Sequence, residues 1–336
     1  ALTQEALDFI KKEVGPENVL LSLGYVGVVP PSYPINAVYL WIGGPEEAVV
    51  RVALKPHARR LEEVKATLRK TLPAHLRAWL TKRWLALKEP PAKVEQRVAA
   101  LRLSFEPADI VNEVMSFGSP TPIEVVVSGP KLADNRAFAE KLRAQLAAIP
   151  ALRDLQYSQS LDYPTVDVKL DRNQAALTGT TAEDVARSLV AATSSSRFLV
   201  PNYWRDPASG IGYQVQIEIP QAEMNSKEAV KGNGDHPVLL RELATVEESV
   251  MPGQLDRYNM RRLVGMTANV AGEDLGRVAE QVAGAIAAAG APPAGVQVDL
   301  RGQIPPLREL QAGLTFGLAV AVAVIFLLLA AYFQSF

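Results

Sequence analysis

Residues 122–158 read PIEVVVSGPKLADNRAFAEKLRAQLAAIPALRDLQYS, and the parsing of that run decides the fold. Pro122 to Gly129 has the composition of a strand and ends at a Gly-Pro break. Asp134 stands where a helix cap is expected, and Phe138, Leu142 and Leu146 recur at helical spacing to about Ala148. Arg153 to Ser158 is a second strand. Strand, helix and strand make one half of a split βαββαβ unit.

The other half lies downstream. Leu263–Val270 is a strand, Gly272–Ala289 an Ala-rich helix, and Val296–Leu300 a strand. Before it, TVDVKLD (Thr165–Asp171) alternates with period two, as a half-buried strand does. About ninety residues separate Asp171 from Leu263. They hold a helix at Thr181–Ala192, a long polar loop at Thr193–Gly212 and a strand at Tyr213–Ile219, and insertions of this kind are tolerated at exposed turns. Upstream the plan repeats: a helix at Gln4–Val14, a strand at Val19–Val28, a Pro-rich link (VVPPSYP), strands at Ala37–Ile42 and Ala48–Leu54, a basic helix at Arg60–Leu72 and a short strand at Leu101–Phe105. This first unit lacks an opening strand. The expected fold class is therefore α+β, with two ferredoxin-like (βαββαβ) subdomains, the second interrupted by an inserted domain.

Leu314–Phe333 carries no charge. At about 1.5 Å per residue it covers the ~30 Å hydrocarbon core of a bilayer, and Tyr332, Phe333 and Phe336 sit where interfacial aromatics belong. A transmembrane helix and a lipid bilayer are expected. The N-terminal ALTQEALDFIKKEV is amphipathic and is not a signal peptide.

Composition narrows the chemistry. The chain has 336 residues, no cysteine and a net charge of -1. Thiolate metal sites, disulfides and cysteine nucleophiles are excluded, and the whole molecule is not a polyanion binder. Residues 57–101 form a basic stretch with Trp79 and Trp84. Interspersed glutamates there suggest a solvated helical hairpin whose tryptophans pack on the domain, and no nucleic-acid partner is expected. His57, His75 and His236 form no metal-ligand motif. The methionines at 115, 224, 251, 260 and 266 are scattered, as packing residues are. KGNGDH (Lys231–His236) is a turn, and Ser194–Ser196 is loop. No Walker A, GxSxG or GxGxxG motif occurs, so neither an enzyme nor a cofactor is expected.

Four stretches resemble the resistance-nodulation-division (RND) efflux transporters. They are FGSPTPIEVVVSG (Phe117–Gly129), DVKLDRNQAALTGTTAEDVARSL (Asp167–Leu189), PGQLDRYNMRRLVGMTANV (Pro252–Val270) and FLLLAAYFQSF (Phe326–Phe336). The resemblance implies one large periplasmic loop, the second of two by its wording, and the membrane helix behind it. It implies a porter subdomain of PC1 type at 1–121, one of PC2 type at 122–178 with 264–301, a docking domain at 179–263 and a transmembrane helix at 314–333. The absence of cysteine and of a methionine triad favours the hydrophobe/amphiphile branch over the heavy-metal branch. The implied function is proton-driven export of amphiphilic small molecules, with the proton-relay carboxylates on helices outside this chain. The implied setting is the bacterial inner membrane with the body in the periplasm, as a homotrimer with a periplasmic adaptor and an outer-membrane channel. Phe117, Ile123, Gln156 and Ser158 are the expected cleft residues, and Tyr203 and Trp204 the expected docking contacts. A membrane-anchored binding or adaptor module, or an RND-type lipid- or protein-export component, are the alternatives.

Overall fold

Alternating and helically spaced apolar residues build the elements seen in a computed structural model. It describes residues 1–27, 42, 44, 46–56, 60–106, 114–116, 118–220, 223 and 240–333. Helix α1 (Leu2–Val14) leads to strands β1 (Val19–Val26) and β2 (Ala48–Leu54), then helices α2 (Leu61–Ala86) and α3 (Pro91–Ala99). Strand β3 (Ile123–Gly129), helix α4 (Leu132–Ala147) and strand β4 (Leu152–Tyr157) follow. Next come β5 (Tyr163–Leu170), α5 (Arg172–Leu177), α6 (Ala182–Thr193), β6 (Asn202–Arg205), β7 (Gly212–Val215), α7 (Leu240–Leu243) and β8 (Ala244–Met251). The remaining described elements are β9 (Arg257–Tyr258), β10 (Arg261–Val270), α8 (Leu275–Ala288), β11 (Gln297–Gly302) and α9 (Ile304–Phe333). The chain divides into two units, Ala1–Leu161 with Gly253–Phe336, and Asp162–Pro252.

In the first unit, β3, β4, β10 and β11 form one antiparallel sheet in the order β11-β3-β10-β4, with β9 paired to β10. The two strand–helix–strand halves interleave, as the sequence predicts for a split unit. One face is dry. Val125, Val127, Val264 and Met266 meet Leu142 and Leu146 of α4 and Val278 and Val282 of α8 in a single cluster. Helix α4 begins two residues before Asp134, which lies in its first turn and does not cap it. The buried Asn135 instead anchors this end: its Nδ2 donates to the carbonyls of Gly129 and Arg262, at 3.2 and 3.0 Å.

The upstream part holds a two-stranded sheet, β1 against β2, beside α1 and α2. Helix α2 runs through Pro73 to Ala86, beyond the boundary expected at Leu72. Its buried stripe Val64, Leu68, Leu72, Leu76 and Leu80 recurs every fourth residue, and that burial outweighs the lost backbone bond at the proline. Trp79 and Trp84 are half-buried, with the guanidinium groups of Arg83 and Arg97 over their rings at 5.4 and 5.2 Å. Residues 101–105 are not a strand, although Leu101, Leu103 and Phe105 pack against α1 and α2. The expected strand at 37–42 lies almost wholly outside the described residues, as do the Pro-rich link and the KGNGDH turn.

In the second unit β5 pairs antiparallel with β8. The strand β5, read in the sequence as preceding the insertion, groups with the inserted elements in the compact unit Asp162–Pro252. Asp171 caps α5, and Thr181 and Asp184 form a reciprocal capping box on α6. The expected polar loop contains strand β6, which pairs with β7 at the start of the strand expected at Tyr213–Ile219; the hairpin is closed by a turn in which Asp206 accepts from the N–H groups of Ala208 and Ser209.

Helix α9 starts in the core of the first unit at Ile304 and runs for 30 residues. The turn into it requires Gly302: its φ is +82° and a Cβ would strike the Pro122 carbonyl. From Leu314 onward its side chains are exposed, and among the described residues it is the one helix long and apolar enough to cross a membrane.

Candidate functional site

The sheet of the first unit has a second face, turned away from α4 and α8. Opposed residues in antiparallel strands share a face. Arg301 of β11 pairs with Glu124 of β3, Glu124 with Thr267 of β10, and Thr267 with Gln156 of β4. These four side chains therefore form a polar row across four strands. In the next row Gly265 supplies no side chain. A Cβ there would collide with Ser158 Oγ and stand 3.3 Å from Glu124 Oε1, so the glycine lets the carboxylate and the hydroxyl converge. Burial raises the pKa of Glu124, and Arg301 opposes the shift. Arg301 in turn lies over the ring of Tyr258 at 4.3 Å.

At the end of this face β4 is irregular. The register against β10 slips between Thr267 and Asn269, and Asp154 adopts φ +55°. A bulge with a left-handed aspartate re-aims its side chain. The Asp154 carboxylate accepts from Arg69 Nη2 of α2 at 2.9 Å, from the Phe105 N–H at 3.2 Å and from Asn269 Nδ2 at 2.9 Å. Arg69 also lies over the Phe105 ring at 5.2 Å. One half-buried carboxylate thus ties α2 and the 101–106 segment to the five-stranded sheet. Beside it, burial pushes the Glu106 carboxyl up to about 7; Arg51 opposes this, and Glu47 and Asp154 add to it. Among the described residues no three His, Asp or Glu side chains are grouped to hold a metal ion together.

The expected cleft residues fare differently. Gln156 and Ser158 both lie on this polar face. Ile123 has the parity of Val125 and Val127 and is 1% exposed in the helix-side core, so it packs and does not line the face. Phe117 lies outside the described residues. Tyr203 and Trp204 stand on β6, a strand and not a loop, at 70% and 53% exposure, with Trp204 against Tyr213 at 6.0 Å between ring centres. Glu124, Thr267 and Asn269 are the additions. Their polarity at alternate positions in otherwise apolar strands is a signal present in the sequence. Asp154 has none, because its role depends on a register slip.

The described chain thus combines two α/β units, a polar sheet face with carboxyls raised in pKa, and one helix of bilayer length. The match to known proteins makes this specific. The model of the AcrB/AcrD/AcrF family matches residues 82–336, and the chain belongs to that family. It is 28% identical over 237 residues to the cobalt-zinc-cadmium resistance protein CzcA of Cupriavidus metallidurans, covering 67% of this chain and 21% of that protein. It is 28% identical over 235 residues to the nickel-cobalt-cadmium resistance protein NccA of Alcaligenes xylosoxydans xylosoxydans, covering 66% of this chain and 20% of that protein. It is 24% identical over 226 residues to the cation efflux system protein CusA of Escherichia coli K12, covering 65% of this chain and 21% of that protein. The chain thus spans about a fifth of the length of these relatives. The crystal structure of a heavy metal efflux pump shares its fold, with a TM-score of 0.71 at 20% identity over 100% of this chain and 33% of that one. These relatives carry metal or cation names, which corrects the expectation of the hydrophobe/amphiphile branch. That expectation took thiols and thioethers as the only signs of metal handling, whereas borderline divalent cations also accept oxygen and nitrogen ligands.

Proposed function

We propose that the chain is the extramembrane, substrate-handling portion, with one membrane span, of an RND pump that expels divalent metal cations. The observation that carries this is the sheet face turned away from α4 and α8, on which Glu124 and, near its end, Glu106 hold carboxyls whose pKa values are raised by burial. A carboxyl that titrates near neutral pH, as Glu106 does at about 7, exchanges a proton for a cation readily, because metal binding requires the deprotonated form. Separate carboxylates suit transit: each holds the ion only weakly, so it can move on. Of the described methionines, Met266 is in the core, and Met115, Met251 and Met260 are 45%, 48% and 86% exposed.

The remaining parts fit the same reading. Helix α9 anchors the body at the bacterial inner membrane, with the body in the periplasm. The β6–β7 hairpin, through Tyr203 and Trp204, is a contact between protomers of a homotrimer that works with a periplasmic adaptor and an outer-membrane channel. The driving proton moves through helices outside this chain. Residues 1–121 would be the PC1-type lobe, 122–161 with 253–302 the PC2-type lobe, and 162–252 the docking domain.

The test is metal tolerance of cells that produce the full-length protein. Tolerance to zinc, cobalt, nickel or cadmium should rise, and Glu124→Gln should reduce it at unchanged protein level. Protection against dyes or bile salts with none against metals would sink the proposal.

A further inference from the structure

A cavity of about 330 Å³ lies between the start of α8 and the first turns of α9. Its lining includes Asp274, Arg277, Glu280, Arg308 and Gln311. It holds room for roughly ten water volumes. Asp274 caps α8 with both carboxylate oxygens, accepting from the N–H groups of Gly276 and Arg277 at 2.9 and 3.1 Å. The backbone donors there are already used, so anything negative entering the cavity meets the two guanidinium groups instead. Arg277 and Arg308 are both exposed and are held in no salt bridge among the described residues.

The position of the cavity supplies its ligand class. The last charge of α9 is Glu309, and its stretch of bilayer length is Leu314–Phe333. Gln311 and Arg308 precede it by about 4.5 and about 9 Å along the helix. The headgroup layer of a bilayer is roughly 5–8 Å thick on each side. Gln311 therefore lies within the headgroup layer and Arg308 at its outer edge if α9 spans a membrane, as proposed above; the inference rests on that reading. Two arginines match a phosphodiester, and the carboxylates of Asp274 and Glu280 match an ammonium. We propose that this notch holds the headgroup of a zwitterionic phospholipid with a primary ammonium, of the phosphatidylethanolamine type. A choline headgroup has no N–H to donate and fits less well.

The full-length protein in mild detergent tests this by native mass spectrometry, after loading with phosphatidylethanolamine or phosphatidylcholine. Phosphatidylethanolamine should be retained about tenfold better than phosphatidylcholine, and the double variant Arg277→Gln/Arg308→Gln should lose that retention by about tenfold or more. A rise in the thermal midpoint of the wild-type protein with phosphatidylethanolamine, and not with phosphatidylcholine, reports the same site without a variant. Equal retention of the two lipids, or retention unchanged in the double variant, overturns the site. So does displacement by inorganic phosphate at equal concentration, which would mark a simple anion site. Membrane fractionation keeps the two claims apart. A protein that needs no detergent for extraction removes the membrane reading and the site together. A membrane-embedded protein with unselective lipid retention removes only the site.

Discussion

The sheet around β3 and β10 and the hairpin of β6 and β7 use similar residues to opposite ends. In the sheet, Val126, Val127 and Val264 are fully buried. In the hairpin region, Tyr203, Trp204, Tyr213 and Val215 are each about half exposed or more, and Ile217 is 77% exposed. Burial of apolar area is what stabilises a fold, at about 25 cal/mol per Å². The first region therefore holds much of the chain's stability, and the second holds surface that its own unit leaves uncovered. A run of valine, tyrosine or tryptophan does not by itself tell a core from a contact surface; the neighbouring elements do.

The largest test of this contrast is Leu142→Ala in α4. Leu142 is completely buried between the sheet and α8. The cavity should cost about 2–5 kcal/mol. Hydrogen exchange would localise the loss: protection should fall in β3, β4 and β10 and stay unchanged in β5 and β8. A uniform loss over both units would break the contrast, because it would make them one cooperative body.

Next in size is the pair Arg69–Asp154, 2.9 Å apart with side chains 20% and 10% exposed. Arg69→Ala leaves a half-buried carboxylate with fewer donors, at about 3 kcal/mol. Chemical denaturation followed by Trp79 and Trp84 fluorescence would read it. The loss should appear in α2 as well as in β4, because Asp154 joins them.

Smaller again is the pH dependence carried by Glu106. Its folded pKa is about 7 against an ordinary 4.5, so the folded chain holds this proton more tightly than the unfolded one. The stabilisation is fully present below about 4.5 and is lost as pH rises to about 7, then levels. The change is on the order of 2 kcal/mol after solvent screening is allowed for. Thermal midpoints between pH 4.5 and 7 should fall in the wild type, and Glu106→Gln should flatten that slope.

How much of this was legible follows from which forces are local. The order β3, α4, β4 and β10, α8, β11 follows from periodicity alone, and those elements appear within a few residues of expectation. The same alternation already separates Ile123 from Glu124, so the packing role of Ile123 and the polar face were both readable. The Asp154 bulge was not, since a register slip against β10 is set by a strand more than a hundred residues away. The length of α2 was hidden by Pro73, whose local penalty is overridden by long-range burial of Leu76 and Leu80. The β6–β7 hairpin was masked by its polar turn residues, Asp206 to Gly210, which read as loop when the flanking strands are only four residues each.

The smallest expected effect bears most directly on the comparison. Trp204 is 53% exposed, and its described ring partner is Tyr213, so Trp204→Ala removes one exposed aromatic pair and little buried area. The cost to folding should stay below about 1 kcal/mol. If the hairpin instead docks on another protomer, the same change should shift the full-length protein toward monomer on size-exclusion chromatography with light scattering, with the thermal midpoint of the monomer nearly unmoved. A stability loss as large as that of Leu142→Ala would mean that the indole is packed within its own chain. The contrast between a finished core and an unfinished surface would then dissolve, because both regions would be stabilised in the same way.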